Sequence, residues 1–274
     1  MLSEEQTDRD AEIEEVWRSY LERGEFKSEI RQRRFFRHLP SEPRCKFCNA
    51  PFHGPGGLLV RALLDKGPSR HNPRLCNVCE HYAAENLGGA EIVLSMLFAD
   101  VRGSTTLAEQ MGTTEFSRLI SRFYEAATNV MVNSDALVDK LIGDEVTGLY
   151  VPGFAGPEHA RVAIDAAKLL LTVTGHSDPE GPWVPVGAGV HTGEAFVGAV
   201  GSKQGLTDIT ALGDGPNTAA RLAGAAAIGE IVISDDAAVA AKLDVEGLER
   251  RSLELKGKAE PVAVRVIKVQ PASE

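Results

Sequence analysis

The sequence has few cysteines, no long apolar segment and no excess of positive charge. Only 4 of its 274 residues are cysteine, which argues against a secreted scaffold held by disulfides. No apolar run reaches the roughly 18 residues that a membrane-spanning helix needs. The first five residues, Met1–Glu5, are acidic where a secretion signal would be basic and then apolar. Together these absences predict a cytoplasmic protein that does not enter a membrane.

Acidic residues outnumber basic ones by 39 to 29, and the imbalance lies in one part of the chain. Residues 1–90 hold 14 of each sign, whereas residues 91–274 hold 25 acidic and 15 basic side chains. An acidic region repels nucleic acid phosphates, so DNA or RNA is a disfavoured partner. A small nucleotide held by metal ions is not excluded. The 43% hydrophobic and 25% charged residues are typical of a folded chain with an apolar core.

The first half of the chain divides into a helical segment and a cysteine-containing module. Apolar residues at helical spacing predict a helix over residues 4–38. Its basic end, Arg31–Arg37, is interpreted as a solvated helix end whose arginines pair with the preceding acids, with a phosphate or membrane contact as the alternative. Pro40 and Pro43 mark the change to the module. We predict three parts, namely residues 1–40, 41–88 and 89–270.

From residue 89 the sequence alternates between strand and helix patterns. An apolar strand and a helix are followed by a hairpin, Ala136–Ile142 and Glu145–Val151, and then by another helix. A second hairpin is expected, with strands Val184–Val190 and Ala195–Val200 around the turn 191–194. This order predicts an α/β (α+β) fold with a ferredoxin-like split βαβ and an antiparallel-rich sheet. A strand at Glu230–Ser234, a short helix and a last hairpin complete the pattern, the hairpin being formed by 255–257 and 262–269.

Two aspartates follow predicted strands at positions that the split βαβ order brings together. Asp100 ends the first strand, and Asp144 occupies the turn of the neighbouring hairpin. Two close carboxylates repel each other unless cations lie between them, and oxygen ligands suit Mg²⁺ or Mn²⁺. The residues Gly103, Ser104 and Thr105 then open a helix whose free N–H groups can bind phosphate.

Five motifs in order make the second part of the chain recognisable. Residues 90–269 resemble the class III nucleotidyl cyclase catalytic domain, the adenylate and guanylate cyclase family. The motifs that carry the resemblance are FADVRGST at 98–105, KLIGD at 140–144, GAGVHTGE at 187–194, LGDGPNTAARL at 212–222 and LKGK at 255–258.

The resemblance implies roles for individual residues. Asp100, Asp144 and the backbone carbonyl of Val101 would bind two Mg²⁺ or Mn²⁺ ions. Lys140 and Thr210 would recognise adenine. The remaining matches are the catalytic Asn217 and Arg221 and the triphosphate-binding Lys256. In this family the site lies between two subunits, so the resemblance also implies a homodimer with shared sites.

The residues at the base position favour ATP over GTP. A lysine such as Lys140 can only donate, which suits adenine N1, and the Thr210 hydroxyl can accept from the 6-amino group. We therefore expect an adenylate cyclase that forms cyclic AMP. The alternatives are a guanylate or mixed-specificity cyclase, and a non-catalytic cyclase-fold module that binds nucleotide and signals.

The four cysteines form two knuckles, with 27 residues between Cys48 and Cys76. Paired thiolates suit a closed tetrahedral zinc site, so we expect Zn²⁺ bound by Cys45, Cys48, Cys76 and Cys79. An iron–sulfur cluster and redox-active thiols or disulfides are the alternatives. The glycines and proline at 54–57 are interpreted as a tight loop.

Overall fold

The computed structural model describes residues 4–39, 42–202, 205–254 and 260–271. No helix in these ranges is both long and apolar enough to cross a membrane. The helices are α1 Glu4–Leu21, α2 Lys27–Phe36, α3 Gly54–Leu64, α4 Asn77–Glu85, α5 Ser104–Met111, α6 Thr113–Asn133, α7 Pro152–Ala155, α8 His159–Val173, α9 Asp214–Ala225 and α10 Asp235–Ala240. The strands are β1 Gly88–Val101, β2 Leu137–Ile142, β3 Glu145–Tyr150, β4 Val186–Gly201, β5 Thr207–Leu212, β6 Glu230–Ser234, β7 Glu249–Leu253 and β8 Val262–Lys268.

The described chain forms two compact units, each assembled from separate segments. The first unit comprises residues 1–93, 151–156 and 194–212, and the second comprises 94–150, 157–193 and 213–274. Strands β1 and β4 contribute one half to each unit, since the division falls within both of them.

The sheet of the second unit has the strand order β2-β3-β1-β4-β6-β8-β7. Its first four strands reproduce the predicted ferredoxin-like order, because the β2–β3 hairpin lies beside β1 and β4 lies on the other side of β1. Strand β3 runs antiparallel to both β1 and β2. The amphipathic helices α6 and α8 pack against this end of the sheet, and α9 packs against β6. The fold class is therefore confirmed.

The expected second hairpin is wrong, because residues 186–201 form one continuous strand. The HTGE segment at 191–194 lies inside β4 in extended conformation. Gly193 is not needed for a turn. A Cβ atom added at this position would lie only 2.7 Å from Nε2 of His191, so a side chain would clash with the histidine ring. The second half of β4 pairs with β5, and its first half pairs in parallel with β6. The last hairpin is formed by β7 and β8, whereas the expected strand at 255–257 lies outside the described residues.

The first unit is built around an aromatic cluster. The ring of Tyr20 lies 5.2 Å from that of Phe47 and 5.6 Å from that of Phe154. Trp17 packs edge-on against Phe47 and Tyr82. Aromatic pairs at these distances add favourable contacts to the burial of their large apolar surfaces. The segment 151–156 thus belongs to this core although it follows β3 in sequence.

The predicted helix over residues 4–38 is in fact two helices. The chain leaves α1 after Leu21, and Gly24 adopts a φ of 62°, a left-handed conformation that glycine accepts without strain. The basic end of α2 is only partly solvated. Arg33 is 2% exposed and donates to the Phe47 carbonyl and to Asn49. The expected loop at 54–57 is also wrong, because Gly54 begins α3 and Pro55 occupies the first turn, where proline's missing N–H costs nothing.

Arg251 on β7 holds the buried carboxylate of Glu230 on β6. Two guanidinium nitrogens donate to the two carboxylate oxygens, at 2.7 and 2.8 Å. These bonds hold the pKa of Glu230 below its usual value, against the opposing effect of burial. Since the folded-state pKa is depressed, the stabilisation is present above the ordinary glutamate pKa of about 4.3. It is lost as pH falls below that value and through the depressed folded-state pKa.

We therefore predict that Glu230→Gln lowers the free energy of unfolding by about 1.5–3 kcal/mol at pH 7, because it removes a charge-assisted pair. Urea unfolding at pH 7 and at about pH 3 measures this effect, and the difference between variant and wild type should shrink at the lower pH. Glu249→Gln is the matched control, since Glu249 binds the same arginine at the surface and should change stability much less. A pH-independent difference for Glu230→Gln would contradict the prediction.

Candidate active site and cysteine site

The two predicted metal-binding aspartates lie on adjacent backbone segments. Asp100 is the penultimate residue of β1 and faces Glu145, the first residue of β3, in the strand register. Asp144 precedes Glu145 in the β2–β3 turn. The Val101 N–H donates to the Asp144 carbonyl at 3.1 Å, so the two segments are joined at this point. The structure thus brings together the residues that the sequence assigns to one metal site.

One carboxylate oxygen at this site lacks a hydrogen-bond partner in the described chain. Among the described residues, the buried Oδ1 atom of Asp100 has no hydrogen-bond partner, while Oδ2 accepts from Arg102. A buried carboxylate oxygen without a partner is costly, and a divalent cation is the type of group that would satisfy it. The residues at this position therefore fit the Mg²⁺ or Mn²⁺ that the sequence predicts.

Arg102 is a residue of this site to which sequence analysis assigned no role. Its Nη1 atom donates to the Gly224 carbonyl at 3.0 Å, and its Nη2 atom donates to Asp100. Burial lowers the pKa of Arg102, while the nearby Asp144 and Glu145 raise it. Arg102 stands two residues after Asp100 in the motif at 98–105. Alternate residues of an extended chain lie on the same side, so this spacing was the sequence signal that Arg102 could contact Asp100.

Glu145 and Tyr124 complete the surroundings of the turn. Burial and the neighbouring charge of Asp144 raise the pKa of Glu145. The Tyr124 hydroxyl, from α6, donates to the Gly143 carbonyl at 2.8 Å and thereby fixes the turn that carries Asp144. Sequence analysis assigned neither residue a role, because nothing in the local pattern indicates a contact between residues 19 positions apart.

The predicted phosphate-binding loop leads into a helix, as expected. Gly103 adopts a φ of 67° and caps the N-terminus of α5, which begins at Ser104. The Leu107 N–H donates to the Gly103 carbonyl at 3.0 Å, so the N–H groups of Ser104 and Thr105 lie in the first turn, where a helix has no internal acceptors for them. Such a terminus can bind phosphate.

The predicted base-recognition residues lie on two strands, one in each unit. Lys140 is on β2, where the register shifts between Val138 and Lys140, and its side chain is 41% exposed. Thr210 is on β5, opposite Gly198 of β4, and is buried.

Asn217 and Arg221 lie four residues apart on α9 and therefore share one face of the helix. Asn217 donates to the Gly213 carbonyl at 2.9 Å, and Arg221 has no hydrogen bond or ion pair with any described residue. Gly224, which accepts from Arg102, lies further along α9. At about 1.5 Å per residue, Asn217 and Arg221 are about 10 and 4.5 Å from Gly224 along the helix axis. Neither bonds to Asp100 or Asp144 in the described chain. Lys256 lies outside the described residues.

The four cysteines converge in the first unit. Their sulfur atoms all lie within 4.8 Å of one another, and the Sγ atoms of Cys48 and Cys76 are 3.7 Å apart. This exceeds a disulfide bond, and the structure has all four thiols free. Four ligands arranged tetrahedrally at about 2.3 Å from a zinc ion would be about 3.8 Å apart. The spacing of these donors therefore fits a single zinc ion.

The protonation of the cysteines also points to a cation. Hydrogen bonding with Cys45 and Cys76, together with burial, raises the pKa of Cys48 and of Cys79. Burial opposes ionisation of Cys45 as well, but bonds from the other three thiols lower its pKa. Four buried thiolates cannot coexist without positive charge. Lys66, with Nζ 4.0 Å from the Cys48 sulfur, supplies some of it and was not anticipated from the sequence.

Comparison with known proteins identifies the class. The profile of the adenylate and guanylate cyclase catalytic domain matches residues 91–268. Since this covers more than half of the chain, the chain belongs to the adenylate and guanylate cyclase catalytic-domain family. The resemblance stated from the five motifs is therefore confirmed, and the chain is placed among the nucleotidyl cyclases.

Individual relatives agree with this class. An adenylate cyclase of Mycobacterium bovis is 30% identical over 211 residues, covering 73% of this chain and 46% of that protein. An adenylate cyclase of Anabaena cylindrica is 28% identical over 140 residues, covering 48% of this chain and 27% of that protein. The chain thus spans less than half the length of these curated relatives.

The guanylyl cyclase Cya2 superposes with a TM-score of 0.58 at 24% identity, covering 66% of this chain and 93% of that structure. The adenylyl cyclase CyaB from P. aeruginosa gives 0.56 at 23% identity, covering 65% and 95%. At these identities the two likenesses establish the fold.

Proposed function

We propose that this protein converts ATP into 3′,5′-cyclic AMP and pyrophosphate. The observation that carries the proposal is the junction of the Asp100 and Asp144 segments, with one buried carboxylate oxygen left without a partner. Asp100, Asp144 and the Val101 carbonyl would hold two Mg²⁺ or Mn²⁺ ions. With the ions held by these residues, the pKa of the attacking ribose 3′-hydroxyl would be lowered and charge on the α-phosphate would be neutralised.

The chain's own residues would position the nucleotide around that reaction. The N–H groups at the start of α5 bind phosphate oxygens, and Lys256 adds a cation for the triphosphate. Arg221 stabilises the charge that develops on the α-phosphate, and Asn217 orients the ribose. Lys140 donates to adenine N1, and Thr210 accepts from the 6-amino group.

We further propose that each site is completed by a second copy of the chain. Asn217 and Arg221 make no bond to either aspartate within the described chain, and Arg221 projects from α9 without any partner there. A site that needs all these groups would therefore take its aspartates from one copy and its α9 residues from the other.

A turnover assay with purified full chain tests the reaction. ATP and GTP are supplied separately with Mg²⁺ or Mn²⁺, and cyclic nucleotide and pyrophosphate are both quantified. We expect cyclic AMP and pyrophosphate in equal amounts and a higher kcat/KM for ATP than for GTP. A preference for GTP would overturn the assignment of Lys140 and Thr210. Nucleotide binding without turnover of either would indicate a non-catalytic cyclase fold.

The cysteine cluster is proposed to bind one structural zinc ion. We predict about one zinc ion per purified chain. The Cys48→Ser variant should lose the metal. Because metal binding contributes directly to the folding free energy, this variant should also unfold at a temperature lower by about 10 °C or more. Elemental analysis and thermal unfolding measure both effects. His71→Ala, in the same module but outside the cluster, is the control and should keep the metal. Iron with visible absorption would instead indicate an iron–sulfur cluster.

A further inference from the structure

The cysteine site of the first unit directly contacts strand β5, which carries Thr210. Lys46 lies between Cys45 and Cys48, and its side chain is only 3% exposed. Its Nζ atom is 3.0 Å from Oδ1 and 3.2 Å from Oδ2 of Asp208, the second residue of β5. A buried ammonium is costly to separate from its carboxylate partner, because the lysine charge alone would remain in a poorly solvated position. The first cysteine knuckle therefore holds the start of β5.

The segment before the second knuckle holds the same residue. Asn72 is 4% exposed, and its side-chain nitrogen donates to the Thr207 carbonyl at 3.0 Å and to Asp208 Oδ1 at 3.2 Å. The oxygen of this side chain accepts from the Arg74 N–H at 3.1 Å, so its orientation is fixed. Two independent donors from the module thus converge on Thr207 and Asp208.

The convergence of the four sulfurs fixes the Lys46 and Asn72 side chains relative to each other. The Lys46 N–H donates to the Arg74 carbonyl at 2.9 Å, and the Cys76 N–H donates to the Cys45 sulfur at 3.3 Å. These bonds join the segment that carries Lys46 to the segment that carries Asn72. An ion that holds the four sulfurs together would therefore also set the distance between the two donors.

Asp208 is well placed to transmit this constraint to Thr210. Alternate residues of a strand lie on the same face, so Asp208 and Thr210 share one face of β5. Among the described strands, β5 pairs only with β4. Its other edge has no neighbouring strand within the described ranges, and the contacts from the module supply a restraint at one end of β5.

We infer that the cysteine site, acting through Lys46 and Asn72 on Asp208, positions Thr210 and so sets the preference of the enzyme for its base. This inference rests on the proposed function, in which Thr210 accepts from the adenine amino group. Lys46, Asn72 and Asp208 are positioning residues, since they act on the nucleotide through Thr210. The N-terminal module, with the ion that its cysteines would hold, then contributes to substrate choice as well as to its own folding.

The kinetic test compares Asp208→Asn with wild type in the full chain. Loss of one well-placed hydrogen bond to the base corresponds to about a tenfold rise in KM for ATP. We expect that rise and a kcat within about threefold of wild type, because the chemical groups are unchanged. The ratio of kcat/KM for ATP to kcat/KM for GTP should fall by a similar factor of about ten. Thr210→Ala should show the same changes, and the double variant should add little to it, since coupled residues are not additive.

Ser69→Ala, in the same module but hydrogen-bonded to Glu80, is the control. Unchanged KM and base preference in Asp208→Asn, or full additivity with Thr210→Ala, would overturn the inference.

Hydrogen exchange supplies a readout that does not depend on turnover. In metal-loaded full chain, Lys46→Met and Asn72→Ala should each increase amide exchange across 207–212, while β6 at 230–234 serves as an internal reference. Wild-type exchange across 207–212 in both variants would overturn the inference. If the wild-type protein cyclises neither ATP nor GTP, the proposed function fails, whereas the exchange data still decide whether the module holds β5.

Discussion

Asp144→Ala is expected to abolish cyclic nucleotide formation, with a loss of at least about 10³-fold in kcat, because it removes a ligand on which both metal ions would depend. The variant should remain folded. Asp144 lies in a partly exposed turn, which Tyr124 holds through the Gly143 backbone and not through the aspartate. Measuring turnover under saturating Mn²⁺-ATP, with circular dichroism to verify folding, tests this expectation.

The electrostatics of the turn predict a second effect of the same variant. The charge of Asp144 contributes to the raised pKa of Glu145, so its removal should lower that pKa and leave thermal stability unchanged or slightly higher. Asp165→Asn, an exposed aspartate on α8, is the matched control and should keep full activity. Full activity in Asp144→Ala would refute the metal assignment.

Mixing two inactive variants is expected to restore activity. In a dimer of Asp100→Ala and Arg221→Ala chains, one site receives both defects and the other receives neither. Random pairing of equal amounts makes about half of the dimers mixed, so about a quarter of wild-type activity should return. Titrating one variant into the other and measuring cyclic AMP gives this fraction.

The complementation has an internal control in the choice of residues. Asp100→Ala and Asp144→Ala belong to the same half of the site, so mixing these two should restore nothing. Mass spectrometry of the intact dimer verifies that mixed species form. A verified mixed dimer of Asp100→Ala and Arg221→Ala without activity would show that the site is not shared between chains.

The sequence predicted that the Asp100 and Asp144 segments lie side by side, because their placement depends on local order. Asp100 at the end of β1 and Asp144 in the β2–β3 turn are separated by α5, α6 and β2, and the split βαβ connection then places them together. The contacts of Arg102 with Gly224 and of Tyr124 with Gly143 join residues distant in sequence. Such contacts depend on how the elements pack, which periodicity does not encode.

The errors in the predicted fold have a common origin in the interpretation of glycine. Gly193 was taken as part of a turn but lies in a strand, where the His191 ring occupies the space of its side chain. Gly54 and Gly56 were taken as a loop but begin α3. Gly24, by contrast, does end a helical region and was not recognised as a break. Local sequence does not distinguish a glycine needed for backbone conformation from one needed for close packing.

Residues 151–156 and 194–212 belong to the first unit although they follow parts of the second unit in sequence. This arrangement limits which fragments of the protein can be expressed alone. An expression fragment that starts at residue 89 would retain Phe154 and Asp208 but discard Tyr20, Phe47 and Lys46, which contact them. The truncated protein would present an uncovered aromatic ring and an unneutralised carboxylate to solvent. Aggregation or altered substrate preference of such a fragment would therefore reflect the excision itself and would not describe the catalytic region of the intact chain.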